Sequence, residues 1–287
     1  MVKLDNIKTI GVVGAGTMGL GIAQISALAG YKTLLFDVNE EMITKAFIQI
    51  EKNLDKGIEK GKLNADQKEF ATKNLTKVTK LSELKADFII EAIIEKLEIK
   101  QEVFRQLEEV NSDETILASN TSSIPITQIA AGLLNPERFV GMHFFNPAHI
   151  MKLVEVISGI STNPEIALVT KALAEKLGKV PVMANDSPGF IVNRVARHFY
   201  LEGLKLAEEG VTNFESIDNL IQSSGFKMGP FRLMDLIGVD TNYSVTTSMF
   251  QAFHQENKFR PNRIQQQKVE AGHHGRKSGR GFYRYDQ

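Results

Sequence analysis

The run Thr9-Ile10-Gly11-Val12-Val13 leads directly into Gly14-Ala15-Gly16-Thr17-Met18-Gly19, which opens a helix-period segment reaching Ala29. Few sequences leave the backbone less choice. The first glycine permits a tight strand-to-helix turn, the second lets a ligand approach the main chain, and the third lets helix and strand pack closely. The first N–H groups of the helix and its positive end then face outward, a ready site for a pyrophosphate. Asp37 ends the next strand-like run 18 residues after Gly19, where a carboxylate can accept hydrogen bonds from the adenosine ribose and would repel a 2′-phosphate. The pattern predicts an NAD site on Gly14, Gly16, Thr17, Met18, Gly19 and Asp37, and favours NAD over NADP. An FAD enzyme shares the fingerprint, and a glycine-rich turn without a ligand is the plain alternative.

Through the first two thirds of the chain, apolar β-rich runs alternate with helix-period segments, the pattern of a mostly parallel sheet covered by helices. The spacing predicts strands at Thr9–Val13, Thr33–Asp37, Phe88–Ala92, Thr115–Ser119, Val140–Phe145, Leu153–Ile157 and Val180–Ala184. Residues 40–76 interrupt the alternation with two Lys-rich amphipathic helices broken near Gly61, too long for a simple crossover, and are expected to project as a helical hairpin. Past Asn185 the strand signal gives way to helices, apart from a short extended stretch at Gly281–Tyr285. Asp186-Ser187-Pro188-Gly189 places an N-cap candidate ahead of a proline at a first helical position, so a new helix and a new domain are expected there. The architecture read from this is α/β: a Rossmann-type, doubly wound, mostly parallel sheet with a projecting helical hairpin over residues 1–186, followed by an all-α C-terminal domain over 187–287.

Composition narrows the function classes. With 34 basic and 34 acidic residues the formal net charge is zero, which disfavours a nucleic-acid polymer or an anionic membrane as partner. The chain has no cysteine, so thiol nucleophiles, disulfides and Cys-ligated metals are excluded. No H-x-x-x-H, no H-E-x-x-H and no carboxylate cluster of ligand spacing occurs, so no metal is expected. No signal-peptide layout and no bilayer-length apolar run is present, making the cytoplasm the default address. The neutrality is a sum of unlike parts. Residues 45–80 hold nine lysines against five acids, a local basic patch suited to a small polyanion.

The most informative chemistry lies in Val140-Gly141-Met142-His143-Phe144-Phe145-Asn146-Pro147 and Lys152-Leu153-Val154-Glu155-Val156. Residues 146–152 are too few for a parallel crossover, so the two strands should be antiparallel. A hairpin symmetric about residue 149 sets His143 opposite Glu155, with Cβ atoms about 5 Å apart. A carboxylate at that distance fixes one imidazole tautomer and favours its protonated form, as a general base for a hydroxyl requires. A structural pair pinning the hairpin fits the pattern nearly as well. Ser119-Asn120-Thr121-Ser122-Ser123 follows a strand at the carboxyl edge of the sheet, where doubly wound folds bind ligands; Ser123 is read as the cap of the next helix, leaving Ser122 for a ligand. Asn193 sits early in the first helix of the second domain, where an exposed side chain is the ordinary explanation.

Taken together, GAGTMG, SNTSS, GMHFFNP with MKLVEV, SPGFIVNR, MGPFRLMDLIGVD and GRKSGRGFY closely resemble the (S)-3-hydroxyacyl-CoA dehydrogenase family, its bacterial 3-hydroxybutyryl-CoA branch most of all, over essentially the whole chain. The resemblance implies that His143 is the catalytic base and Glu155 its partner, that Ser122 bonds the substrate oxygen and that Asn193 holds the acyl group. It implies nicotinamide and ribose contacts at Ala92, Glu95, Lys100, Ser122 and Asn146, CoA phosphate contacts at Lys52, Lys56 and Lys60, an acyl-CoA substrate such as acetoacetyl-CoA or 3-hydroxybutyryl-CoA, and a homodimer. For the three lysines a solvated charged face is the usual meaning of such spacing. One departure is visible: the family commonly has Glu-Asn-Leu where this chain has Glu95-Lys96-Leu97. Alternatives are the same chemistry on another acyl-CoA such as 3-hydroxyadipyl-CoA, a non-catalytic NAD-binding relative, and a free-acid dehydrogenase with a catalytic lysine, which GMHFFNP argues against.

Overall fold

The computed structural model of the protein describes residues 3–285, which divide into two compact units, the first ending at Ser187 and the second beginning at Pro188. The first begins with β1 (Thr9–Val13), α1 (Thr17–Leu28) and β2 (Lys32–Phe36), continues through α2 (Glu40–Glu59) and α3 (Ala65–Asn74) to β3 (Leu75–Val78), and then alternates β4 (Phe88–Glu91), α4 (Leu97–Val110), β5 (Ile116–Ser119) and α5 (Ile126–Ala130). It ends with β6 (Phe139–Phe144), β7 (Leu153–Ser158), α6 (Pro164–Lys176) and β8 (Val180–Asn185). The eight strands form one sheet in the order β3-β2-β1-β4-β5-β6-β7-β8. Every neighbouring pair is parallel except β6 and β7. The direction in which the chain winds reverses between β1 and β4, and a doubly wound sheet opens its ligand crevice at such a point, beyond the carboxyl ends of the strands.

Helix α1 is buried along almost its whole length, from Gly19 to Ala27 with only Leu20 less covered, because the sheet lies on one side and the hairpin helices on the other. The stripe Ile43, Ala46, Ile50 and Leu54 of α2, spaced at helical period, joins the same core; the two isoleucines and the leucine contribute about 1.5–3 kcal/mol each. Local signals set the ends of the hairpin. Asn39 caps α2 by accepting from the Glu41 N–H, and Asn64 with Gln67 forms a capping box on α3. β3 escapes the sequence pattern because Leu75-Thr76-Lys77-Val78 is a half-exposed edge strand, and a lysine there keeps an edge from pairing further.

Two local expectations need correction. The helix after Asn185 does not start at Pro188. Gly189 and Phe190 both have positive φ, +73° and +49°, which a right-handed helix cannot hold, so α7 (Val192–Glu208) begins later. Asp186 does not cap it either. Its carboxylate accepts the Ile126 and Thr127 N–H groups at 3.0 and 2.8 Å, capping α5 from across the fold, and Ser123 is therefore not the cap of α5.

The second unit continues with α8 (Phe214–Ser223), α9 (Pro230–Ile237), α10 (Val239–Ala252) and α11 (Arg263–Glu270). Its core centres on Phe214, Phe231 and Phe282, whose rings lie 4.6–5.2 Å apart. Two buried carboxylates bind its last segment. Asp235 accepts the Phe282 and Tyr283 N–H groups and the Tyr285 hydroxyl at 2.9–3.0 Å, and Asp218 accepts the Tyr283 hydroxyl at 2.7 Å and the Phe231 N–H at 2.9 Å. The extended stretch expected at Gly281–Tyr285 is thus held by side chains; among the described residues it forms no strand, only the isolated bridge between Arg280 and Arg284.

Candidate active site

The fingerprint loop has the geometry that a dinucleotide requires. Gly14 adopts φ +103°, and a Cβ there would meet the Ala92 carbonyl oxygen at 2.5 Å; a Cβ on Gly19 would collide with the Gly14 carbonyl. Around Gly16 nothing lies within 4 Å of a Cβ position, leaving open the space into which a phosphate would come. No side chain caps the start of α1, so its first N–H groups are available to an anion. Asp37, half-buried just past β2, accepts the Ala15 N–H at 2.7 Å and the Asn39 N–H at 2.9 Å, and each oxygen keeps a second lone pair for a ribose hydroxyl. These residues fit NAD.

The hairpin of β6 and β7 sets His143 opposite Glu155. The His143 Nδ1 lies 2.7 Å from Glu155 Oε2, and both residues are buried, Glu155 completely. A carboxylate in that strand between Val154 and Val156 would be costly without such a partner. Because β6 runs parallel to β5, His143 lies near the same carboxyl edge as the fingerprint, and Asn146 is exposed just beyond it. Lys179 fixes the connection between the two strands, its ammonium donating to the carbonyls of Ala148 and Met151 at 2.5 and 2.8 Å; burial and the neighbouring Lys152 push its pKa down to about 8. The same connection rests on α1, where a Cβ on Gly21 would meet the Ala148 Cβ at 3.1 Å.

A charged network joins the loops after β4 and β5. Glu91, fully buried at the end of β4, accepts from Lys100 Nζ at 2.5 Å, Ser119 Oγ at 2.6 Å and the Ile93 N–H at 2.7 Å. Lys100 also reaches Glu95 Oε2 at 3.2 Å. Glu95 in turn accepts from Thr121 Oγ1 at 2.6 Å and from the N–H groups of Ser122 and Ser123 at 2.8 and 3.0 Å. Burial opposes ionisation of Glu95, but the Lys100 charge and the hydrogen bonds from Thr121 and Ser122 outweigh it and hold its carboxyl below the usual range. Lys100 is 1% exposed, so it enters the site through the two glutamates rather than as an open donor.

The structure therefore brings Ala92, Glu95, Lys100 and Ser122 together at one edge, with His143 and Glu155 on the neighbouring hairpin. Lys52 and Lys56 are exposed on α2 and Lys60 is exposed at its C-cap, and Asn193 is half-buried near the start of α7 in the second unit. Sequence reasoning missed Glu91, Asn120 and Lys179. Glu91 carried the signal that exposed Glu155, an acid inside an apolar strand. Asn120, whose Oδ1 accepts the Phe144 N–H at 2.8 Å, and Lys179 act on main chain brought close only by folding, and nothing local marks them. Lys96, at the family's usual asparagine position, is the N-cap of α4 with extended backbone and no side-chain hydrogen bond. Lys96→Asn should stabilise the first unit by about 1 kcal/mol, raising its melting temperature by about 2–4 °C in a thermal scan.

Residues 9–187 match the model of the 3-hydroxyacyl-CoA dehydrogenase NAD-binding domain, and residues 189–285 match that of the 3-hydroxyacyl-CoA dehydrogenase C-terminal domain. The chain belongs to the 3-hydroxyacyl-CoA dehydrogenase family. Among relatives in this family, the "3-hydroxyadipyl-CoA dehydrogenase" of Escherichia coli (strain K12) is 48% identical over 97% of this chain, which spans 59% of that protein's length. The "Probable 3-hydroxybutyryl-CoA dehydrogenase" of Bacillus subtilis (strain 168) is 43% identical over 98% of both chains. The crystal structure of a (S)-3-hydroxybutyryl-CoA dehydrogenase from Ralstonia eutropha superposes with a TM-score of 0.95 at 38% identity, covering 98% of this chain and all of its own. Among the described residues no helix is long and apolar enough to cross a membrane, and no group of three His, Asp or Glu side chains is placed to hold a metal ion.

Proposed function

We propose that this family member is an NAD-dependent (S)-3-hydroxyacyl-CoA dehydrogenase that interconverts 3-hydroxybutyryl-CoA and acetoacetyl-CoA. The observation that carries the reading is the buried His143–Glu155 pair at 2.7 Å, near the sheet edge that bears the dinucleotide fingerprint. NAD, when bound, supplies the hydride acceptor. His143 takes the proton of the C3 hydroxyl and returns it in the reverse reaction. With Nδ1 committed to Glu155, Nε2 is the nitrogen that exchanges this proton, and the carboxylate stabilises the charged ring that results. Ser122 bonds the substrate oxygen and Asn193 orients the acyl group. Residues 1–186 serve as the NAD-binding domain, with Gly14, Gly16, Thr17, Met18, Gly19 and Asp37 on the pyrophosphate and adenosine side, and Ala92, Glu95, Ser122 and Asn146 on the nicotinamide side. Residues 187–287 serve as the substrate and dimerisation domain of a cytoplasmic homodimer.

Lys52, Lys56 and Lys60 form the face that meets the CoA phosphates. A triple Lys→Glu variant should raise the KM for acetoacetyl-CoA at least tenfold at low salt, with the difference shrinking as salt screens the charges, while NAD affinity stays within about twofold. The proposal itself is tested by following NADH oxidation with acetoacetyl-CoA, longer and dicarboxylic 3-ketoacyl-CoA thioesters, and free acetoacetate. Highest kcat/KM on the four-carbon thioester is expected. Highest kcat/KM on the dicarboxylic thioester would instead support a second reading, hydroxyadipyl-CoA as substrate, which the 48% identity to the Escherichia coli relative favours. Equal activity on the free acid would sink the CoA assignment.

A further inference from the structure

The Glu91–Lys100–Glu95 cluster has a charge that the proposed chemistry does not use. Its place in the fold points to what that charge acts on. Glu91 is the last residue of β4 and pairs in register with Val13, the last residue of β1, so it stands at the strand-order reversal. The next residue, Ala92, presents its carbonyl to the fingerprint glycine Gly14. In a doubly wound sheet the dinucleotide straddles this crevice. Asp37, beyond β2, assigns the adenosine half to the β1–β2 side, which leaves the nicotinamide half over the ends of β4 and β5. There, two glutamates face one lysine. Lys100 Nζ is 2.5 Å from Glu91 and 3.2 Å from Glu95, and no other cation forms an ion pair with either acid among the described residues, so the cluster carries a formal charge of −1. Glu91 is 0% exposed, and solvent screens such a charge little.

We propose that this cluster biases the site toward the oxidised cofactor, with Glu91 as its buried anchor and positioning residue. The nicotinamide ring is positively charged when oxidised and neutral when reduced, so a fixed negative charge beneath it stabilises the first form and not the second. Hydride transfer to the ring cancels that attraction, and the cluster thereby shifts the balance of the bound reactants relative to the reaction in water. Three donors on Glu91, from Lys100, Ser119 and Ile93, hold the charge in place without reorganisation.

The inference rests on the NAD reading above, and the experiment separates the two. Dissociation constants for NAD+ and NADH would be measured by calorimetry or fluorescence on the full-length protein and on Glu91→Gln, Glu95→Gln and Ser119→Ala. Removing one charge near the ring should raise the ratio of the NAD+ to the NADH dissociation constant about tenfold in both glutamine variants. Ser119→Ala removes a hydrogen bond from Glu91 but no charge, and its ratio should stay at the unaltered value. Glu95→Gln alters a carboxylate about one-third exposed and decides the matter alone if Glu91→Gln does not fold. Parallel weakening of both forms, an unchanged ratio in the glutamine variants, or an equal shift in Ser119→Ala would overturn the inference. Absence of saturable binding of either form to the unaltered protein would overturn the cofactor reading, and this inference with it.

Discussion

His143→Gln should lower the turnover of acetoacetyl-CoA by about 10²–10⁴-fold while NAD affinity stays within about twofold of the unaltered protein. Glutamine approximates the reach of the imidazole and can still donate a hydrogen bond to Glu155, so the hairpin should keep its register. What it cannot do is accept and return a proton near neutral pH. The split between lost turnover and retained binding distinguishes a chemical role from a structural one, because a residue that merely pinned β6 to β7 would change stability when replaced and leave turnover per folded molecule intact. Steady-state kinetics with a parallel cofactor titration would show which holds. Near-normal turnover by the variant would remove His143 from the mechanism.

The largest stability loss is expected at Asp235→Asn, far along the chain from that chemistry. Asp235 is 1% exposed and meets only donors, two backbone N–H groups and a phenol. An asparagine turns an NH₂ group toward some of them, leaving buried donors facing each other at a cost of about 3 kcal/mol. Melting of the second unit should fall by on the order of 10 °C, read by calorimetry; a shift below about 2 °C would contradict the arrangement. The same contact sets an alkaline limit. Burial, then the hydrogen bond to Asp235 and its charge, raise the Tyr285 pKa to about 12. Its unfolded value is about 10. The fold favours the neutral phenol, so this contribution is complete below pH 10 and is lost as pH rises through 12. In Asp235→Asn the folded-state value falls toward 10, so this loss should be smaller and complete at a lower pH, visible in denaturation midpoints measured between pH 9 and 12.

How much could be read in advance depended on whether a residue's role was local. The fingerprint loop was legible because each glycine answers a steric demand of its own turn. The His143–Glu155 pairing was legible because a short connection forces antiparallel strands, and alternation then fixes which side chains oppose. Ser123 and Asp186 went the other way. Each stands where a helix cap is expected, but the acceptor that α5 uses lies about 60 residues along the chain, and Ser123 donates to Glu95 instead. No windowed pattern reports such a partner. Strand β3 was missed because its pairing with β2, rather than its composition, makes it a strand. Lys100 showed the limit of motif transfer, since its position is read from the sequence while its enclosure by two carboxylates is decided by burial.

The absence of a side chain at Gly21 has a consequence for how this protein can vary. Helix α1 and the hairpin connection meet there at contact distance, a Cβ on Gly21 standing 3.1 Å from Ala148 and 3.3 Å from the His149 nitrogen. One of these elements begins at the fingerprint loop, and the other joins β6, which carries His143, to β7. An added methyl would force these elements apart by a few tenths of an ångström, so glycine here sets the gauge between α1 and the β6–β7 hairpin. Gly21→Ala would change that gauge without touching a ligand, and in a reaction where a hydride and a proton move on the same carbon–oxygen unit, tolerance to such a change is small.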